Sequence, residues 1–362
     1  MTGREKQVLN LIRKNPLISQ KEIAEQLNIT RSSVGVHITN LSKKGYIKGR
    51  GYVMNEEDYV TVIGAANLDI HGFTEEKLIL NDSNPGTVKI CLGGVGRNIS
   101  ENLTKLNIDT KLITATGGDS NSKKLIEECT LLGIDMEDSL ILPDMNASIY
   151  LAIIDDNGDM ALALSDMSVL DRMTPEFIKS KSHIIKNSKI IVLDAGLSRE
   201  VIEYVLMNFK DNKIFLDPVS IKKSRKVKDI IGKFHTIKLN RMEAEFLSDM
   251  SGKTEDELYK VSKYFIQQGV KRVFITLGKN GVFLREGNYS KLLKPPIIHV
   301  TNATGAGDAF MAGIIYGSMF EHHIDDIAKF SVSASILALS HESTVNPNMS
   351  EESINKIIKE MF

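Results

Sequence analysis

Apolar positions along the chain follow two different periods. In the first fifty residues they recur at helical spacing. Val8, Leu9, Leu11 and Ile12 share one helix face, and Pro16 ends that helix. Ser19 predicts an N-cap, with Glu22 three residues on as its capping-box partner, for a second helix holding Ile23, Ala24 and Leu27. Asn28 makes a turn, Thr30 caps a third helix containing Val34, Ile38 and Leu41, and Gly45 closes it. Tyr46-Ile47-Lys48 and Gly51-Tyr52-Val53 read as two short strands around a turn.

From Tyr59 onward, short β-rich runs alternate with amphipathic helices. Strands are predicted over 59–64, 111–115, 190–194, 213–217, 236–239 and 272–276. Helices are predicted over 97–106, 120–132, 199–208, 241–250, 255–268, 307–321 and 325–340. This alternation implies an α/β fold, a doubly wound and mostly parallel sheet with helices on both faces. Two stretches break the pattern, near 70–92 and 146–168, where strands follow one another without helices. The second contains Asp156-Asn157-Gly158-Asp159, a hairpin signal. These pieces are expected to form a small β-sheet lid whose exposed edge could pair with a second subunit, giving a homodimer.

Composition adds one asymmetry. The 362 residues carry a formal charge of −1, yet residues 1–55 hold ten basic side chains against three acidic ones, leaving the remainder at −8. Such a split suggests two parts with different partners. Met54–Asp58 reverses the charge, so the expected organisation is a small domain 1–54, a linker 55–58 and a large domain 59–362. Two cysteines, Cys91 and Cys129, exclude a disulfide framework or a four-cysteine zinc site. No run of 18 apolar residues occurs, so no membrane span is expected. The opening Met-Thr-Gly-Arg-Glu-Lys lacks the apolar stretch of a signal peptide, and the expected location is cytoplasmic.

The chemistry concentrates in three motifs. No Walker loop, no G-x-G-x-x-G after the first strand and no H-E-x-x-H occurs. Thr304-Gly305-Ala306-Gly307-Asp308 places three small residues before an apolar helix. Their N–H groups and the helix dipole make an anion hole, and a carboxylate beside it suits phosphoryl transfer as the base for an attacking hydroxyl. Gly93-Gly94-Val95-Gly96-Arg97-Asn98 permits close backbone approach, and Asn98 offers a hydroxyl both a donor and an acceptor. Asn240 and Glu243, after a strand, suit either a Mg²⁺ site or a capping box.

The pair GGVGRN and NATGAGDAF, in that order, resembles the two signatures of the PfkB (ribokinase-like) family of sugar and nucleoside kinases. LNRMEAE is similar to its N-x-x-E magnesium motif and VIGAANLDI to its first strand, so the resemblance covers roughly 59–362. It implies ATP and Mg²⁺ as cofactors and Asp308 as catalytic base, with Gly305, Ala306 and Gly307 as the anion hole. It further implies Asn240 and Glu243 around Mg²⁺ and phosphates. Asn67, Asp69, Gly93, Gly94 and Asn98 would hold ribose hydroxyls. Thr276, Gly278 and Gly281 would line the ATP site, with Ser331 and Ala334 facing the adenine. Many members carry Asp-Thr-Thr before the Gly-Ala-Gly-Asp, and that Asp helps hold a monovalent cation. Here Asn302-Ala303-Thr304 stand there, and the charge is gone.

Within the family, NLDIHGF and LNDSNPGTVKICLGGVGRNI resemble the bacterial pseudouridine kinases. That likeness implies transfer of phosphate to a 5′-hydroxyl, with Ser83, Asn84 and Asp166 of the lid contacting base or ribose. Alternatives are a kinase for ribose, inosine or cytidine, and a ligand-sensing transcription regulator. The first fifty-four residues resemble the winged helix-turn-helix of bacterial regulators. That resemblance implies double-stranded DNA as a partner, with Arg31, Ser32, Ser33, His37 and Asn40 toward the major groove and Lys43, Lys48 and Arg50 on phosphates. The structural alternative is a small helical packing module.

Overall fold

The computed structural model describes residues 2–15, 18–47, 58–295 and 300–362. The chain divides into two compact units, Met1–Glu57 and Asp58–Phe362.

In the first unit, three helices span Gly3–Lys14, Gln20–Leu27 and Arg31–Lys43. Both reciprocal bonds of the Ser19–Glu22 capping box are present, Asn28 takes the left-handed conformation (φ 51°), and Thr30 accepts from Ser33 N. Val8, Ile23, Val34 and Leu41 are buried together as one small core. Helix one carries a capping box the sequence reading passed over, Thr2 with Glu5, and Glu5 also pairs with Lys44 Nζ at 2.8 Å. That pair ties the chain after helix three back to the start of helix one. Tyr46 and Ile47 belong to no strand. The other residues assigned to the wing, Lys48 and 51–53, lie outside the described residues, as do Arg50 and most of the linker.

The second unit is built on an eight-stranded sheet. From one edge the order is Tyr289–Leu293, Val282–Glu286, Arg272–Thr276, Thr236–Asn240, Lys213–Asp217, Ile190–Asp194, Val60–Ile63 and Thr110–Ile113. The last six run parallel and the first two are antiparallel. Side chains alternate across it. Ile190 and Val192 enter one core, Ile191 and Leu193 the other, which is why these strands read as unbroken apolar runs. Two helices of the first core, Ala306–Met319 and Ile324–Leu339, approach closely because they meet at glycines. A Cβ on Gly313 would lie 2.5 Å from Ser331 Cα, and one on Gly317 2.7 Å from Ile327 Cγ1. That packing fixes the helix whose N-terminus carries the Gly-Ala-Gly-Asp motif.

The lid is a separate four-stranded sheet in the order Gly86–Gly93, Asn67–Thr74, Ile149–Ile154 and Met160–Asp166. The hairpin turn falls at Asp155–Asp159, with Gly158 at φ 83°. Two expectations need correction. The strand expected over 111–115 is two elements, Thr110–Ile113 and Ala115–Gly117, the second leaving the main sheet to pair with Leu140–Leu142. The edge hairpin 282–293 was not among the expected strands, although Gly287-Asn288 between Glu286 and Tyr289 is a hairpin turn signal.

Candidate active site

Ligands in open α/β sheets bind outside the carboxyl ends of the strands. Here those ends present Asp194, Asp217, Asn240 and Thr276 side by side, with Asp217 opposite Asp194 and Asn240 opposite Thr276. Above them the helix Ala306–Met319 begins. Its N-cap Gly305 sits at φ 81°, and a Cβ there would lie 1.9 Å from Thr344 O. No other residue type fits that position.

Asp308, on the first turn, is 8 % exposed, and Asn98 Nδ2 donates to its Oδ2 at 2.8 Å. The two motifs, 210 residues apart, therefore meet. Burial and the charge of Asp217 push the Asp308 carboxyl up to about 7, against the opposing pull of Lys238 and of Asn98. Asn98 Oδ1 is buried and has no partner among the described residues, so it is an acceptor free to meet a ligand hydroxyl. Gly94, at φ 98°, lets Asn98's helix start against Ala65 O, 2.4 Å from where its Cβ would stand. Asn67 Nδ2 donates to Asp69 Oδ1 at 2.6 Å, and burial raises the Asp69 carboxyl. A Cβ on Gly93 would lie 2.3 Å from Asp69 Oδ2, so this glycine makes room for the carboxylate.

Lys238 is the residue that motif reading missed. It is 8 % exposed, donates to Asp217 Oδ2 at 2.8 Å, and its Nζ lies 3.0 Å from where a Cβ on Gly307 would stand. A buried ammonium thus sits directly beside the glycines at this helix N-terminus, among Asp217, Asp308 and Glu243. Its signal was a lysine inside a strand otherwise buried on both faces, Thr236-Ile237-Lys238-Leu239. Asp217 also accepts from Val219 N, and Val219 holds φ 63°, an uncommon conformation for a β-branched residue.

Asn240 and Glu243 do form the capping box, Asn240 Oδ1 accepting from Glu243 N at 2.9 Å and Glu243 Oε2 from Asn240 N at 2.8 Å. Burial raises the Glu243 carboxyl to about 7. A buried carboxylate so raised is a hard oxygen donor that a cation would stabilise. No group of three His, Cys, Asp or Glu among the described residues could hold a metal alone. The donor set fits a Mg²⁺ shared with phosphates, which needs only one or two protein carboxylates.

Two cavities adjoin the segments that carry Asp308 and Asn98: one is lined by Ala306 and Gly307, the other by Arg97 and Thr304. One of about 770 Å³ runs from Ala306 and Gly307 past Thr276, Gly278 and Gly281. Gly278 and Gly281 have φ 58° and 99°, and a Cβ on Gly281 would lie 2.0 Å from Leu293 O. Its helical wall is Val332, Ser335 and Ile336. Ser331 and Ala334 are not part of it. Ser331 is buried and donates to Ile327 O, and Ala334 is buried in the core, so the expected face was misplaced by one residue. The other cavity, about 1040 Å³, lies under the lid and is lined by Asp69, His71, Lys89, Cys91 and Tyr150 among others. Ser83, Asn84 and Asp166 do not reach it. Asn84 spends its side chain on Ile79 N, Ile79 O and Asp82 O, holding its own turn, and exposed Asp166 caps Ser168 N.

On the N-terminal unit, Arg31, Ser32, Ser33, His37 and Asn40 all lie on the third helix. Arg31 and Ser32 are exposed, the other three half-buried, and Val36 is exposed between them.

Among the described residues no helix is long and apolar enough to cross a membrane. Residues 1–48 match the profile of a winged helix-turn-helix DNA-binding domain. The chain is 36% identical over 307 residues to the pseudouridine kinase of Escherichia coli K12, covering 84% of this chain and 98% of that one. It is 32% identical over 359 residues, 99% of each, to the uncharacterized sugar kinase YeiI of the same organism. A crystal structure of a candidate sugar kinase from Clostridium perfringens superposes with a TM-score of 0.78 at 39% identity, covering 85% of this chain and 98% of that one. The ribokinase of Arabidopsis thaliana, solved with ribose and ATP, shares the fold at a TM-score of 0.74 and 20% identity, over 83% of this chain and 99% of that one. Residues 57–351 match the profile "pfkB family carbohydrate kinase", and the chain belongs to that family, its ribokinase-like domain preceded by a winged helix-turn-helix.

Proposed function

We propose that this kinase transfers the γ-phosphate of ATP to the 5′-hydroxyl of pseudouridine. The observation that carries the chemistry is Asp308: a buried carboxylate raised to about 7, on the first turn of a helix behind a glycine-built anion hole, beside Asn98. A base poised near neutral pH can take the proton of an attacking hydroxyl and release it again. Asn98 Oδ1, without a partner among the described residues, would accept from a substrate hydroxyl, and Asn67 and Asp69 supply further polar groups on the same side. The backbone N–H groups of Ala306 and Gly307, with Lys238 beside them, would stabilise the charge on the transferred phosphoryl group. Glu243, together with Asn240, would hold Mg²⁺, which when bound neutralises phosphate charge. ATP would occupy the cavity from Gly307 to Gly281, its adenine against Val332 and Ile336.

The choice of pseudouridine rests on the 36% identity to the Escherichia coli pseudouridine kinase over almost all of that protein. The test is ATP-dependent ADP release with pseudouridine, uridine, inosine, cytidine and ribose. Selectivity for pseudouridine is expected. Preference for another acceptor keeps the kinase and discards this substrate. A second role, binding duplex DNA through the third helix, is supported by the helix-turn-helix match and the +7 charge of residues 1–55.

The lid favours a homodimer. Strand register places Ile90, Ile70, Leu151 and Leu164 in one row and Val88, Gly72, Ile153 and Leu162 in the next, all on one face. Val88, Ile90, Leu162 and Leu164 are each more than half exposed there. Such a patch is what an interface between copies covers.

A further inference from the structure

The resemblance to the family implies a monovalent cation near the loop that enters the anion hole, and the residues of this chain do not fit one. We propose that the side-chain amide of Asn302 itself holds that loop, so that nucleotide binding and phosphoryl transfer need no monovalent cation. This rests on the nucleotide reading of the site, but not on which acceptor is phosphorylated.

The geometry is a two-way staple. Asn302 Nδ2 donates to Glu342 O at 2.8 Å, and Asn302 Oδ1 accepts from Thr304 N at 2.9 Å. The first bond ties the 301–305 segment to the 340–346 segment. The second shapes the turn that ends at Gly305. Gly305 is itself seated against Thr344 O, so any shift of the 340–346 segment moves the anion hole with it.

A cation in this place would compete with N–H groups for its oxygen ligands, because three carbonyls of the flanking segments already accept hydrogen bonds. Leu339 O accepts from Thr301 N, Glu342 O from Asn302, and Leu337 O from the Asn346 amide at 2.6 Å. Asn346 Oδ1 accepts from Asn348 N. The segment 301–305 contains no carboxylate. A carboxylate at 302 would face the Glu342 carbonyl with no hydrogen between them, and that repulsion is what an intervening cation relieves. The amide removes the negative charge and the need for the positive one together, leaving the net charge beside the anion hole unchanged. Asn302 is therefore a positioning residue.

The experiment compares the full-length protein in potassium chloride and in tetramethylammonium chloride at equal ionic strength, reading Tm and ADP affinity without any acceptor. The unsubstituted protein should give the same Tm and ADP affinity in both salts. Asn302→Asp keeps an acceptor for Thr304 N but loses the bond to Glu342 O and sets two oxygens against each other, so it should bind ADP roughly 10-fold more weakly in tetramethylammonium and regain affinity and Tm when potassium is added. Asn302→Ala should be weakened equally in both salts. A potassium-dependent rise in Tm or ADP affinity of the unsubstituted protein would overturn the proposal. So would an Asn302→Ala variant that binds ADP as tightly as the parent, which decides the matter even where Asn302→Asp fails to fold. Should ADP not bind the parent at all, the nucleotide reading falls, and the potassium response of Tm still tests the loop.

Discussion

Replacing Asp308 with Asn separates catalysis from stability, because the two should move in opposite directions. The carboxyl rises from its ordinary value of 3.8 to about 7 in the folded protein, chiefly through burial and the nearby Asp217 charge. A carboxyl raised on folding binds its proton more tightly in the native state. Its contribution to stability is fully present below about pH 4 and is lost as the pH climbs toward 7. The difference between 3.8 and about 7 corresponds to ~4 kcal/mol once both states are ionised, an upper figure for a group so close to Lys238. Asn keeps the shape and cannot ionise. Asp308→Asn should therefore melt like the parent near pH 4 and several degrees higher at pH 8, measured by calorimetry without ligands. Turnover should fall by at least ~100-fold, the scale of lost general-base catalysis. In the parent, kcat/KM should rise with pH to a plateau above about 7, a limb shared with Glu243, which is raised into the same range. A variant that is less stable than the parent at pH 8, or that keeps near-normal turnover, would refute the assignment.

Lys238→Met leaves Asp217 buried without its counter-ion and should cost ~3–5 kcal/mol in urea unfolding. Adding Asp217→Asn should recover much of that stability but none of the activity, because the ammonium beside the anion hole is still missing. Gly305→Ala forces a Cβ into Thr344 O at φ 81° and should abolish ATP binding by calorimetry. If the third helix binds duplex DNA as proposed, Arg31→Ala together with His37→Ala should weaken anisotropy-measured binding of the whole protein to a mixed-sequence duplex, with a reduced salt slope for the lost Arg contact. Leu164→Glu on the exposed lid face should shift sedimentation to the monomer.

The sequence made the fold legible where one signal sufficed. Strands 190–194, 213–217 and 272–276 and helices 199–208 and 255–268 are found where periodicity put them, because each is a single apolar run or stripe bounded by polar residues. It failed where geometry depends on a partner. Whether Ser331 or Val332 faces the cavity beside Gly307 is decided by how closely Gly313 lets two helices approach, and a helix buried nearly all round offers no amphipathic stripe from which to read its phase. The lid loop failed for a different reason. Asn84 looked like a ligand group, but an Asn beside Asp82, Ser83 and Pro85 finds backbone partners within its own turn before it can offer itself to a substrate.

Lys238 shows the limit most clearly. Motif reading looks for residues with chemistry in loops and at helix starts, and a lysine in a buried strand is passed over as a misfit. Burying an ammonium is costly enough that a fold tolerates it only where a carboxylate compensates. Asp217 does so at 2.8 Å, and the pair stands below the helix N-terminus whose Gly307 leaves just enough room for it. The same charge lowers the cost of ionising Asp308, which burial and Asp217 raise. The neutral-range value of Asp308 is then set by its burial together with two charges outside its own motif, Asp217 at a strand end and Lys238 within a strand. If that balance governs the reaction, Lys238→Met should move the acid limb of kcat/KM upward in pH as well as lower its plateau, whereas loss of a merely structural pair would lower the plateau and leave the limb where it was.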